Sequence, residues 1–367
     1  MPCNGEEFGH SYFCLPMGDH EKSYFTFFSE YNRLGHGAAI FEAILLNVIF
    51  CLSLLVNLIV IWYMWRSKLR KTVTNYFVLN LVLADIAFVI TAPLTAYIRL
   101  QATWTLGQGM CSFVVYWILV CGTVTIWLMT AISIDRYTNV THVTSSPARV
   151  RLWKVFGISF AIWTTCVLSF LPVSVFFRVK DTRFENSSVK FCTLIWPDTN
   201  HVYSMVFTVL VSVVCYIFPV AIISTNYYRI YQKYSESKRA VENFNSDNIM
   251  RAQQPDSRHQ RNKKVVRTLI VLVMAFIVMW LPVSIVLGVI EYDVSHGHNR
   301  IPSSVLIWAT ALAYLNTLVN AFIYGSMFID LRRMRLLCRK WIPGRDRNKI
   351  AVGPATHVID PTINICN

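Results

Sequence analysis

The stretch AAIFEAILLNVIFCLSLLVNLIVIWYMW fills residues 38–65 with a single formal charge, Glu42. About 20 predominantly apolar residues are enough to cross the hydrocarbon core of a bilayer as a helix. Six more stretches of that kind follow, at residues 77–97, 111–134, 155–177, 202–228, 268–290 and 305–328. The fifth and seventh are diluted by Asn, Tyr and Ser, and Asp85 is the other prominent charge inside the set. The composition agrees. The 367 residues are 54% hydrophobic and 15% charged, with mean hydropathy +0.44, where a soluble domain carries about 25% charged residues. The apolar content excludes disorder. The length, with only 10 Cys, excludes a small disulfide-dense scaffold. The expected fold is an all-α membrane protein, a seven-transmembrane helix bundle with an amphipathic eighth helix.

Seven crossings put the termini on opposite sides. With the N-terminus outside, 8 of the 34 Lys and Arg fall on the outer side and 26 on the inner side, the bias that orients membrane proteins. The net charge of +14 is therefore a topology signal, and no nucleic-acid partner is needed to explain it. Residues 1–37 are expected outside, 38–328 in the bundle, 329–343 on the membrane surface and 344–367 in a cytoplasmic tail. The first 35 residues are polar and acidic, without the apolar core of a cleavable signal, so the first span is expected to act as its own insertion signal. Cys3 and Cys14 lie on the outer side, as does Asn186-Ser187-Ser188, an acceptor pattern for N-glycosylation. Residues 232–267 read as a flexible inner loop. The run Asp330-Leu331-Arg332-Arg333-Met334-Arg335-Leu336-Leu337-Cys338-Arg339-Lys340-Trp341 alternates apolar and basic residues, which suits a helix lying on an anionic leaflet. Cys338 there is a candidate for palmitoylation. No internal repeat of the transporter kind is visible. Neither a nucleophile–base pair nor a metal cluster suggests an enzyme.

One marker residue or motif falls in each span, in order. These are Asn57, Asp85, Asp135-Arg136-Tyr137, Trp163, Pro219 with Tyr227, Trp280-Leu281-Pro282, and Asn316 with Asn320-Ala321-Phe322-Ile323-Tyr324. The set resembles the rhodopsin class of G-protein-coupled receptors over residues 38–341. The resemblance implies an extracellular ligand, a heterotrimeric G protein, arrestin and membrane lipids as partners, at the plasma membrane. It implies a resting-state sodium ion at Asp85, Thr125, Asn316 and Asn320, with no other cofactor. Arg136 would be held by Asp135 at rest and released towards Tyr227 or the G protein. Pro219, Ile126 and Phe276 match a packing switch, Trp280 a lever above the Pro282 kink, and Tyr137, Asn320 and Tyr324 further parts of the activation machinery. Cys111 and Cys192 match the family's disulfide. Two positions depart from the pattern: Ala321 replaces a Pro, and Asn262 stands where many amine receptors carry a Glu that locks Arg136.

Ile118 sits where amine receptors place an Asp, which argues against an aminergic ligand, and residues 311–315 hold no Lys, which excludes a retinal Schiff base. Leu171-Pro172-Val173-Ser174-Val175-Phe176-Phe177-Arg178-Val179 and Cys192-Thr193-Leu194-Ile195-Trp196-Pro197 are similar to the long-chain fatty acid receptors of that class. So is Arg99, five residues before Trp104. A fatty acid needs an apolar slot and a cation for its carboxylate. The expected lining is Phe88, Trp104, Trp117, Trp196, Phe207, Trp280 and Trp308, with Arg99 or Arg178 as the cation. Trp at membrane interfaces and Arg snorkelling from helix ends are the plainer readings. The rival ligand is a basic neuropeptide, met by the acidic N-terminus, Glu291 and Asp293.

Overall fold

The computed structural model describes residues 11–17, 20–30, 36–66, 73–101, 103–141, 148–184, 187–197, 202–247, 257–296 and 301–328. Strands β1 (Tyr12–Met17) and β2 (His20–Phe25) pair antiparallel, with Tyr12 opposite Phe25. The first span is α1 (His36–Arg66), the second α2 (Val73–Val89) plus α3 (Thr91–Leu100), and the third α4 (Gly107–Thr141). The fourth is α5 (Ala148–Ser169) plus α6 (Leu171–Phe176), which runs into the hairpin β3 (Phe177–Phe184) and β4 (Ser187–Leu194). The fifth comprises α7 (Val202–Ser212), a π-helical turn (Val213–Ile217) and α8 (Phe218–Asp247). The sixth and seventh are α9 (Ser257–His296) and α10 (Ser303–Phe328). All seven are long and apolar enough to cross a membrane.

Proline accounts for the interruptions. It has no N–H to donate, and its ring crowds the carbonyl four residues back. Pro93 crowds Val89, where α2 ends; Pro172 crowds Leu168, just before α5 ends at Ser169; Pro219 crowds Cys215, inside the π-helical turn. Pro282 lies inside α9 without ending it. One turn away, the Ser284 hydroxyl donates to the Trp280 carbonyl (3.0 Å).

The third span is the centre of the bundle and the fifth its periphery, with 67% and 11% of their most apolar windows buried. Where 232–267 reads as a flexible loop, α8 continues to Asp247 and α9 starts at Ser257. Residues 232–247 contain no Gly or Pro and are rich in Lys, Glu and Arg, so nothing stops the helix. The amphipathic segment 329–343 with Cys338, the tail 344–367, Cys3, Asn186 and the Cys14 side chain lie outside the described residues.

Nothing in the polar N-terminal segment announces β1–β2, yet the hairpin carries an aromatic face. Phe13 stacks on Phe191 of β4 (4.7 Å between ring centres) and Phe27 meets Phe177 edge-on (4.8 Å). Tyr12, Phe25, Phe27 and Phe28 are buried. Burial, and after it the carboxylate of Asp293, pushes the Tyr12 phenol up. The Cys111–Cys192 disulfide, with Cα atoms 5.6 Å apart, ties β4 to the start of α4.

Candidate functional site: a cavity between spans three, five and six

Beneath the two hairpins lies a cavity of about 500 Å³. Trp280, Phe276 and Gly122 form its floor, Leu119, Phe207 and Cys215 its sides, and Phe27, Phe177 and Trp196 its roof. Trp196 and Phe207 meet at 5.2 Å between ring centres. Trp280 stacks on Phe276 (5.4 Å) and tilts against Phe88 (5.2 Å), which in turn packs on Tyr314 (4.7 Å). The seat of Trp280 depends on Gly122, because a Cβ there would run into the benzo ring of the indole. The lining contains one charged residue, Glu291, which accepts a hydrogen bond from Ser204. Such a surface suits a molecule that is mostly hydrocarbon with one polar group near the roof.

Below the cavity, Asp85 is 1% exposed. Asn320 Nδ2 donates to both its oxygens (3.3 Å each) and to Asn316 Oδ1 (3.0 Å). The Asn320 Oδ1 atom is buried without a hydrogen-bond partner. A buried carboxylate met by a single amide donor, beside the Asn316 and Asn320 carbonyl oxygens, is a set of oxygens that fits a small hard cation, with Thr125 buried on α4. At the face opposite the hairpins, Arg136 Nη2 and Nε donate to Asp135 Oδ2 (2.8 and 3.2 Å), which also accepts from Thr74 Oγ1 (2.7 Å). Asn139 donates to Asp135 Oδ1 (3.0 Å). The Arg229 guanidinium lies 5.8 Å from the Tyr137 ring centre. Ile126, Phe276, Tyr227 and Tyr324 are buried in one core, and Pro219 is buried on the fifth span.

The chain matches the profile of the 7 transmembrane receptor (rhodopsin family) over residues 56–324. It belongs to that family. The receptor is 30% identical to galanin receptor type 1 of Homo sapiens over 296 residues, 79% of each chain. It is 26% identical to free fatty acid receptor 4 of Rattus norvegicus over 333 residues, 88% of each. It is also 25% identical to type-1 angiotensin II receptor A of Xenopus laevis over 333 residues, 88% of this chain and 85% of that one. The rhodopsin-family membership makes the protein a multi-pass membrane receptor that couples an external ligand to a G protein, and not an enzyme.

The expected ligand set divides. Trp196, Phe207 and Trp280 line the receptor's cavity. Phe88 lies under Trp280 instead. Trp117 turns to the second and fourth spans, donating to the Ala87 carbonyl (2.8 Å) and lying 6.4 Å from Trp163. Trp104 is a loop anchor, its indole donating to Gly107 O (2.9 Å) and its backbone N–H to Lys190 O (2.7 Å). Trp308 is 44% exposed on the outside of the bundle, beside Phe41. Arg178 is exposed on β3, away from the lining.

Arg99 requires the largest correction. Its Nε donates to Glu42 (2.5 Å), Nη1 to Ser303 Oγ (2.7 Å), and Nη2 to Ser304 Oγ (2.9 Å) and Glu30 (2.9 Å). All three guanidinium nitrogens are engaged and the side chain is 1% exposed, so no fork is presented to a ligand carboxylate. Glu42 stands out in the sequence as the charge of the first span, but only the packing of the N-terminal segment and spans one, two and seven brings it and Glu30 to one arginine. Gly122 and Phe27 line the cavity, and sequence reasoning misses both. Phe27 has a faint signal in the run Phe25-Thr26-Phe27-Phe28, too apolar for an exposed tail; Gly122 has none.

Proposed function

We propose that the protein is a plasma-membrane receptor, N-terminus outside, for a long-chain lipid derived from a fatty acid, and that binding in the cavity drives G-protein activation at the Arg136 face. The observation that carries this is the lining: aromatic and aliphatic side chains around about 500 Å³, a volume in the range of small-molecule sites. Trp280 on its floor stands directly on the Phe276 and Phe88 rings. A ligand pressing on it moves the sixth span against the third. Since Arg99 is engaged and Glu291 is the charge in the lining, the head group is neutral or cationic: a fatty amide, ester or amine rather than a free carboxylate. Asp85, Asn316 and Asn320, with Thr125, hold a sodium ion that favours the resting state. Asp135 holds Arg136 in that state.

A peptide ligand is the second reading. Glu291 near the roof supports it, as does similarity to the galanin and angiotensin II receptors. Calcium and cyclic-AMP responses of expressing cells to matched sets of long-chain acids, amides, esters and amines, and to a basic peptide library, test both. Amides, esters or amines acting above the matched free acids support the lipid reading. A response to peptides alone overturns it.

A further inference from the structure

We infer that the ligand reaches the cavity through the membrane, between the fifth and sixth spans, and that the N-terminal segment, through Phe27, is a fixed part of the roof. The inference deepens the lipid reading and rests on it for the ligand's class, but its geometry stands on two separate observations.

The first is the pattern of exposure around the cavity. Ser212, Ile217, Leu281, Ser284, Ile285 and Gly288 line it and are also exposed on the surface. Residues that do both mark the side on which the cavity wall is open or only one side chain thick. All six belong to the fifth and sixth spans, whereas every other lining residue is buried or half-buried. That open or thinnest side therefore faces the hydrocarbon. Its edges are Ile217, Leu281 and Ile285, exposed by 58%, 42% and 55%. A hydrated or ionised solute would lose its solvation there without compensation, whereas a chain dissolved in the bilayer would not. Glu291 and Ser204 are then polar partners that a head group finds after its tail has passed.

The second observation is the roof. Phe27 sits in the lining at φ 57°, a left-handed conformation that a bulky residue adopts only when its surroundings enforce it. The enforcement is visible. Thr26 Oγ1 donates to the Ser29 carbonyl (2.5 Å), the Ser303 N–H donates to Ser11 Oγ (2.8 Å), and Glu30 pairs with Arg99 (2.9 Å). Phe27 is pressed on Phe177 and Phe13 on Phe191. Among the described residues, the N-terminal segment is bolted to the second span, the seventh span and the β3–β4 hairpin. Opening it for each ligand would break all of these at once.

Cys215 lines the cavity as a free thiol, so access can be timed without knowing the ligand. Full-length receptor in lipid nanodiscs is treated with N-dodecyl maleimide, which dissolves in the bilayer, or with a trimethylammonium methanethiosulfonate in the water. Labelling is read peptide by peptide by mass spectrometry. The bilayer reagent should label Cys215 and the aqueous one should not. Gly288→Trp, at a position where an added Cβ meets nothing within 4 Å, should slow the bilayer reagent about tenfold, within the spread that changes at one site produce in association rates. Ile285→Ala should speed it. Cys51, exposed on the first span, should label equally in all variants. Phe27→Ala/Glu30→Gln should admit the aqueous reagent. Equal labelling of wild-type Cys215 by both reagents, or no change with both Gly288→Trp and Ile285→Ala, overturns the route. Because no ligand is used, failure of the lipid assignment would leave these rates unaltered and is read separately.

Discussion

Replacing Arg99 by Gln distinguishes a structural ion cluster from a ligand anchor. The guanidinium joins Glu42 of the first span, Glu30 of the N-terminal segment and Ser303 and Ser304 of the seventh. The side chains of Arg99, Glu42 and Glu30 are 1%, 4% and 13% exposed. Removing the cation leaves two buried carboxylates beside each other and two hydroxyls without their donor. Breaking a buried pair by deleting one member costs about 3–5 kcal/mol, mostly from the charge left behind. A loss of that size lowers the melting temperature of purified receptor by on the order of 10 °C and reduces surface expression. Arg99→Lys keeps the charge but not the planar fork, and should lose less. Arg99→Met with Glu42→Gln removes both charges of the closer pair and should recover part of the stability, because an uncharged replacement of a buried pair is often tolerated. A dye-based melting curve with surface labelling reads all of these. The reasoning fails if Arg99→Gln melts with the wild type. If the same variant loses potency for free fatty acids but not for their methyl esters, Arg99 is the carboxylate anchor after all.

Cys111→Ser and Cys192→Ser should each abolish surface expression or response by releasing β4 from α4, and full activity of both single variants would refute a structural role. Sodium should raise the melting temperature of the wild type by binding the folded state, and Asp85→Asn should remove that increment while leaving the potassium baseline alone. Gly122→Val should displace the Trp280 ring and cost about 1–3 kcal/mol by overpacking; an unchanged melting temperature would mean the indole has another seat. Asn262→Glu should lower ligand-free signalling, since one more partly exposed ion pair on Arg136 contributes about 0.5–1 kcal/mol to the resting state. Equal basal cyclic-AMP signals in the variant and the wild type would sink that explanation.

What can be read from the residues alone, and what cannot, follows from the range of each interaction. The spans are legible because bilayer thickness acts on about 20 consecutive residues, so residues 38–65 suffice to find α1. The breaks at Pro93 and Pro172 are explained by a ring that crowds the carbonyl four residues back, but they are not read from the sequence, since Pro282 has the same ring and leaves α9 whole. Asp85, Asn316 and Asn320 can be grouped because a charge in hydrocarbon demands partners and the family pattern names them. Arg99 obeys the same demand, yet in the sequence it looks free to meet a ligand, because Glu30 and Glu42 stand 69 and 57 positions before it. No local pattern links such residues. The aromatic residues resist sorting for a related reason. An indole prefers a bilayer interface, a packed core and a ligand surface on similar grounds, so composition offers Trp104, Trp117, Trp196 and Trp308 without ranking them. Rotation about each helix decides. Trp308 and Tyr314 share α10, yet one faces out and the other is wholly buried. Gly122 is the limiting case, a residue whose contribution is an absent side chain, visible only once Trp280 has been brought against it from another span. The ligand question turns on that same kind of long-range fact. The lining chemistry belongs mainly to spans three, five and six, but the roof joins Phe177 and Trp196 of the loop between spans four and five to Phe27, from a segment that precedes every span. The N-terminal aromatics therefore bear on how a ligand arrives as much as the cavity bears on what it is.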